Sequence, residues 1–139
     1  MRFFDRALVN GRSIRVRSTE KIDGDFALGD ADHELEDRRR SVIDRPWVWL
    51  TQVHGNGCVD VDVVGLENAR GAPADSSVTT RSDLALSIQT ADCVPIALWS
   101  LDGVIAAVHA GWRGLEVGVI EMATRSMRTQ SSAPLHAFV

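Results

Sequence analysis

Three short runs hold residues that can bind a metal ion: Thr51-Gln52-Val53-His54-Gly55, Thr90-Ala91-Asp92-Cys93-Val94-Pro95 and Val108-His109-Ala110-Gly111-Trp112-Arg113-Gly114. Each offers one ligand, His54, Cys93 or His109, at the start or end of an apolar run that reads as a strand. Two imidazoles and a thiolate form a borderline-soft donor set, suited to zinc or copper and poorly suited to magnesium or calcium. Three protein ligands also leave one tetrahedral position open, as a catalytic zinc requires. Taken singly, each residue has an ordinary reading: a His as a satisfied polar group, a Cys as a small buried hydrophobe. The intervals between them are too long for a local finger, so a sheet must assemble the site.

The neighbours of these residues supply further candidates. Arg113 stands at the opening of a helix, where free backbone N–H groups and a guanidinium fork suit phosphate or carboxylate; its ordinary reading is a surface ion pair. Gln52 lies two positions before His54, on the same side of a strand, and is a candidate for holding a substrate hydroxyl or base edge. Asp92 adjoins Cys93 as a general base or a partner of the thiolate. Trp112 is either a platform for a base or a core residue. Cys58 lies in a run where Val alternates with Asp and reads as a core or surface thiol. His33 falls in a charged, solvated helix and His136 in a strand, outside the three runs.

The three runs together resemble the YfiH family, whose members are described as laccase-like polyphenol oxidases, purine nucleoside phosphorylases and peptidoglycan-editing factors. The resemblance covers Trp47 to Val139, with a looser match from Gly29 to Arg40. It implies one zinc ion held by His54, Cys93 and His109. Asp75, in Pro73-Ala74-Asp75-Ser76, matches an acidic position in the family's Ala-Asp segment, against an ordinary reading as a loop cap. Relatives carry a Thr-Arg-x-Gly-Gly-type turn near the start. Here the stretch Ser18-Thr19-Glu20-Lys21-Ile22-Asp23-Gly24 replaces the arginine with Glu20, and Lys21 lacks the bidentate fork.

The activity that the resemblance implies is phosphorolysis of adenosine, inosine and methylthioadenosine, with adenosine deamination on the side. Nucleoside and phosphate are then the partners, and Asp92 and Arg113 the catalytic candidates. Gln52, Trp112 and Arg113 would contact substrate. Three alternatives stay open. A two-His, one-Cys set also suits a copper oxidase, although the cluster of a true laccase is rich in His and this chain has 4. A cysteine hydrolase would use Cys93 as nucleophile and His109 as base. An inactive remnant would bind metal and turn nothing over.

Behind these residues the chain alternates strands and helices, which predicts an α/β fold of the α+β type: mixed β-sheets with flanking helices. Ala7–Val9 and Ser13–Arg17 read as strands around an Asn10-Gly11 turn. Asp32–Ile43 reads as a helix with Asp32 as N-cap, Pro46–Val53 and Cys58–Val64 as strands, and Gly65 to Ser77 as loop. Three apolar runs, Leu84–Ile88, Val94–Trp99 and Val104–Val108, read as buried strands, with Pro95 marking a strand start or a bulge. Gly114–Arg128 has the period of one amphipathic helix and Leu135–Val139 begins a last strand.

A chain of 139 residues is one domain by size. The expectation is one YfiH-like domain lacking its C-terminal part, with an unfinished sheet edge inviting self-association. A net charge of −4 gives no basic footprint for nucleic acid, and no apolar stretch suggests a membrane span. The N-terminus lacks the pattern of a signal peptide and the two cysteines make no disulfide framework, so the expected setting is cytoplasmic.

Overall fold

The computed structural model describes residues 1–27 and 33–139, with the backbone alone at position 33. The proposed N-cap Asp32 and the side chain of His33 lie outside the described residues.

Two apolar runs that can cover each other build the central hairpin. Strand β9 (Val94–Ser100) pairs antiparallel with β10 (Ile105–Ala110), from Ile105 opposite Trp99 to Ala110 opposite Val94. The turn between them closes with Gly103 at φ +100°, a conformation that favours glycine. Two further strands join β10 in series: β7 (Ser76–Thr79) pairs antiparallel with it, and β5 (Cys58–Asp60) lies parallel to β7. On the far side β11 (Leu135–Phe138) pairs with β9, giving the five-stranded order β11-β9-β10-β7-β5. The sheet is mixed, and β11 and β5 are its edges.

One face of this sheet is covered by α5 (Val119–Arg128). Val119, Ala123 and Met127 recur every four residues, so all three point the same way, and all three are fully buried. They pack on Ala106, Val108 and Ala110, the alternate residues of β10. Opposite that face stands the N-terminal hairpin of β1 (Arg2–Ala7) and β2 (Ser13–Ser18), which closes a second cluster of Leu8, Ile14 and Trp99. Its turn carries Gly11 at φ +77°, and Asn10 accepts a hydrogen bond from the Arg12 amide. A third cluster, Val48, Val61, Ala69 and Leu84, fills the region beside β3 (Trp47–Val48). Helix α1 (His33–Val42) precedes it and carries ion pairs such as Arg40 to Glu36 at 3.3 Å. Among the described residues no helix is long and apolar enough to cross a membrane.

The architecture is the expected mixture of sheets and helices, and several boundaries move. The first hairpin strand is Arg2–Ala7 rather than Ala7–Val9, because Leu8 to Gly11 form the turn itself. Pro46–Val53 splits into β3 and β4 (Leu50–Thr51). The expected strand Cys58–Val64 stops at Asp60, whose side chain caps the helix α2 (Val61–Val64) by accepting from the amides of Asp62 and Val63. Three successive demands then outweigh the alternating valines: a cap, a buried Val61 and a turn at Gly65. The expected loop from Gly65 to Ser77 holds α3 (Leu66–Ala69), β6 (Ala72–Pro73) and the start of β7. Of Leu84–Ile88 only β8 (Ala85–Leu86) is strand, pairing parallel with β3. The single helix expected over Gly114–Arg128 is two. A short α4 (Trp112–Glu116) ends at Val117, and Gly118, at φ +84°, turns the chain into α5. Pro95 sits one residue into β9, at its start.

Candidate metal centre

Hairpin register alone places two of the three candidate ligands. Ala110 lies opposite Val94, so one step beyond the ladder Cys93 comes beside Gly111, while His109 sits two residues back on β10. The third ligand comes from the connection between β4 and β5, where His54 takes the left-handed conformation at φ 59°. This is the described non-glycine residue with positive φ, a conformation that costs an L-residue roughly 1–2 kcal/mol. The donor atoms of His54, Cys93 and His109 all lie within 4.8 Å of one another. Cys93 Sγ is 3.9 Å from His54 Nε2, and the two imidazoles meet edge to face at 4.8 Å between ring centres. His109 is buried, Cys93 half-buried and His54 exposed, so the group opens to solvent on the His54 side.

Gly111 forms the floor of the group. A Cβ there would stand 3.0 Å from His54 Cδ2 and 3.1 Å from Cys93 Sγ, so the ligands converge over the one residue type that leaves them room. Gly114 serves the same approach one turn later: a Cβ on it would meet the Gly55 carbonyl at 2.9 Å, which would push the His54 turn away from α4.

Asp75 completes the surroundings. The ladder pairs Ser76 with Val108, so the preceding residue, Asp75, falls beside His109. Its carbonyl accepts from the His109 amide at 2.7 Å and its carboxylate from His109 Nδ1 at 2.8 Å. The same carboxylate accepts from three successive amides, Val53 at 3.2 Å, His54 at 2.9 Å and Gly55 at 2.8 Å. Burial by itself would push the Asp75 carboxyl up, but the His109 ring and the three amides together hold it below the usual carboxylate range. The sequence marks Asp75 as a position shared with the family, or else a loop cap, and does not by itself reveal this bridging role. The signal available was its place immediately before a strand that pairs with the His109 strand.

Other sequence candidates stand as follows. Both ends of the Gln52 amide are engaged by the backbone of Gln89: Nε2 donates to its carbonyl at 2.7 Å and Oε1 accepts from its amide at 2.8 Å. Gln52 therefore ties the strand before His54 to the segment leading to Cys93. Asp92 is exposed beside Cys93. Trp112 is not a core residue; it is 69% exposed at the start of α4, with the Arg113 guanidinium 5.2 Å from its ring centre. Because α4 has only five residues, Arg113 does not stand at the head of a long helix. Cys58 belongs to the core under α5, and burial pushes its thiol up. His136 lies on β11, stacked on Trp99 at 5.6 Å. Glu20 spends its charge on the N-terminal amine at 3.2 Å and on Arg2 at 3.4 Å.

The donor set and its spacing fit one ion of borderline softness. Tetrahedral coordination at ordinary zinc distances needs donor separations of about 3.4–3.6 Å. The observed group reaches that by small side-chain movements, one of them in the exposed His54. His109 already presents Nε2, because Nδ1 is turned to Asp75.

Known proteins share this arrangement of elements. Residues 9–139 match the family described as multi-copper polyphenol oxidoreductase laccase. A purine nucleoside phosphorylase of Pseudomonas aeruginosa is 38% identical over 128 residues, which are 88% of this chain and 51% of that protein. One of Streptomyces coelicolor is 39% identical over 124 residues, 83% of this chain and 50% of its own length. One of Xylella fastidiosa is 45% identical over 84 residues, 58% of this chain and 32% of that protein. The chain thus spans between a third and about half of these relatives. Among solved structures, a Neisseria meningitidis protein of the DUF152 family superposes with a TM-score of 0.62 at 29% identity, covering 81% of this chain and 48% of that one. The YfiH protein of Bacillus licheniformis superposes at 0.61 with 29% identity, covering 81% and 49%. A family match over nearly the whole chain, joined to a His-Cys-His group at the ends of its strands, places this chain in the laccase-like YfiH family.

Proposed function

We propose that the chain carries the metal centre of a zinc-dependent purine nucleoside phosphorylase, with adenosine, inosine and methylthioadenosine as substrates and adenosine deamination as a side activity. The observation that carries the reading is the convergence of His54, Cys93 and His109 over Gly111 in a chain similar to proteins named purine nucleoside phosphorylase. A zinc ion on this triad would supply Lewis-acid activation at its open position.

The chain's own residues would do the rest. The exposed Trp112 offers a face for the purine, and Arg113, stacked on it, offers a fork to phosphate near the ribose. Asp92, exposed beside the thiolate, takes and returns the proton. Gln52 holds the approach to His54 in place through its two bonds to Gln89, and its second N–H is the one left to meet a substrate hydroxyl or base edge. The free thiols Cys58 and Cys93 suit a reducing, cytoplasmic setting. Self-association along the β11 edge belongs to the same reading, with sedimentation as its check.

The donors themselves favour a single ion, which we propose is zinc, over the cluster of a multi-copper oxidase. Among the described residues two imidazoles reach the site, and His136 is held on β11 against Trp99, whereas a multi-copper cluster needs many more. The test is elemental mass spectrometry of the purified chain and of Cys93→Ala, followed by phosphate-dependent release of base from nucleosides. One zinc per chain, lost in the variant, together with base release supports the proposal. Copper in place of zinc would favour the oxidase reading. A metal-free thiol that cleaves amides would favour the hydrolase.

A further inference from the structure

Two oxygens of one buried carboxylate serve two different ligands of the triad. Asp75 Oδ1 accepts from the His54 amide and from His109 Nδ1, and Oδ2 accepts from the amides of Val53 and Gly55. Three successive N–H groups converging on one anion form a nest, and here the anion is a side chain of the protein. Filling the nest ties down the 53–55 turn, in which His54 takes the left-handed conformation that aims it at Cys93.

We propose that Asp75 is the positioning residue of the metal centre, a single carboxylate that sets His109 in its metal-ready tautomer and fixes the turn presenting His54. The inference rests on the metal reading above and adds what makes the site competent. An ionised carboxylate only accepts hydrogen bonds, so His109 must carry its proton on Nδ1 and keep the Nε2 lone pair free. Asparagine cannot do both jobs. If its oxygen faces Val53 and Gly55, its NH2 meets the His54 amide and His109 Nδ1, and the His109 proton moves to Nε2, blocking the ligand atom. If its oxygen faces His54 and His109, its NH2 meets the Val53 and Gly55 amides and the turn opens. Either way one ligand is held less well.

Two measurements test this. Long-range proton–nitrogen NMR on the metal-free wild type should show His109 protonated on Nδ1. Zinc titration against a chromophoric chelator should show Asp75→Asn binding about 10–100-fold more weakly than wild type, the usual cost of losing such a partner. In the same variant either the His109 proton moves to Nε2 or the 53–55 amides exchange faster, changes that a general loss of stability would not confine to these groups. A wild-type His109 protonated on Nε2 would overturn the inference, even if the variant failed to fold. So would an Asp75→Asn chain that binds zinc as tightly as wild type. A wild type that binds no zinc, with His109 protonated on Nδ1, would instead remove the metal reading on which the positioning role depends.

Discussion

Replacing Gly111 with alanine sets the metal site against the fold in a way that can be measured. The backbone at Gly111, φ −76° and ψ 159°, is open to any L-residue, so alanine brings no strain of its own. By limiting the unfolded chain, such a replacement ordinarily stabilises by about 0.4–1 kcal/mol. Against this stand contacts at 3.0 Å with His54 Cδ2 and 3.1 Å with Cys93 Sγ, both on side chains that can swing outward by a few tenths of an ångström. The metal-free protein should therefore melt within a few degrees of wild type. Zinc binding asks for the opposite movement, because donors within 4.8 Å of one another must close to about 3.4–3.6 Å. Metal–ligand distances tolerate only about ±0.2 Å, so the site cannot absorb an outward push of comparable or larger size. The expected loss is at least about tenfold in zinc affinity, or about 1.4 kcal/mol, read by chelator competition. Unchanged zinc affinity in a folded Gly111→Ala chain would refute the argument that the ligands close over this residue.

Other perturbations separate the site from the scaffold. Cys93→Ala should abolish stoichiometric zinc while Cys58→Ala retains it, since Cys58 packs under α5; equal zinc content in the two purified variants would contradict this. Met127→Ala should cost about 2–5 kcal/mol in urea unfolding, because the side chain is fully buried against the central sheet. Asp62 accepts from the Thr79 and Thr80 hydroxyls and the Thr80 amide. Burial pushes its carboxyl up, but these bonds win and hold it below the usual range. Its folded pKa is thus depressed: the contribution is present above the ordinary value of about 3.9 and lost as pH falls through the folded value. Asp62→Ala should cost about 0.5–1.5 kcal/mol at neutral pH, a partly solvated interaction, and the gap to wild type should narrow in acid unfolding curves.

How much of this the residues disclose depends on what carries each feature. The central hairpin is legible because β9 and β10 are continuous apolar runs, and its register then brings Cys93 to Gly111 without further information. The buried face of α5 is legible from its four-residue repeat, but the break before it is not. Leu115, Val119 and Met122 continue the same period across Gly118, and only the left-handed turn there separates two helices. The valines after Cys58 mimic a strand, and the cap at Asp60 that ends it looks, as sequence, like one more polar residue in an alternation. Asp75 is the clearest case. Its neighbours Gly71, Pro73 and Ala74 have loop composition, and its meaning comes wholly from the pairing of Ser76 with Val108, a contact between distant parts of the chain.

The left-handed His54 allows the ligand role to be separated from the backbone role by sign as well as size. At an ordinary position glycine is less stable than alanine by roughly 0.5–1 kcal/mol, because it loses more freedom on folding. At φ 59° an alanine retains a cost of roughly 1–2 kcal/mol that glycine does not pay. The second effect is larger, so metal-free His54→Gly should be more stable than metal-free His54→Ala, by up to about 1.5 kcal/mol. Both should lose zinc. Asparagine, which tolerates the left-handed region better than other non-glycine residues, should fall between them. The His54 side chain is exposed, so lost packing contributes little and the order reports the backbone. If alanine proves more stable than glycine, as at an ordinary position, the turn is not held left-handed in solution. The Asp75 nest would then be too weak to set the geometry on which the whole site depends.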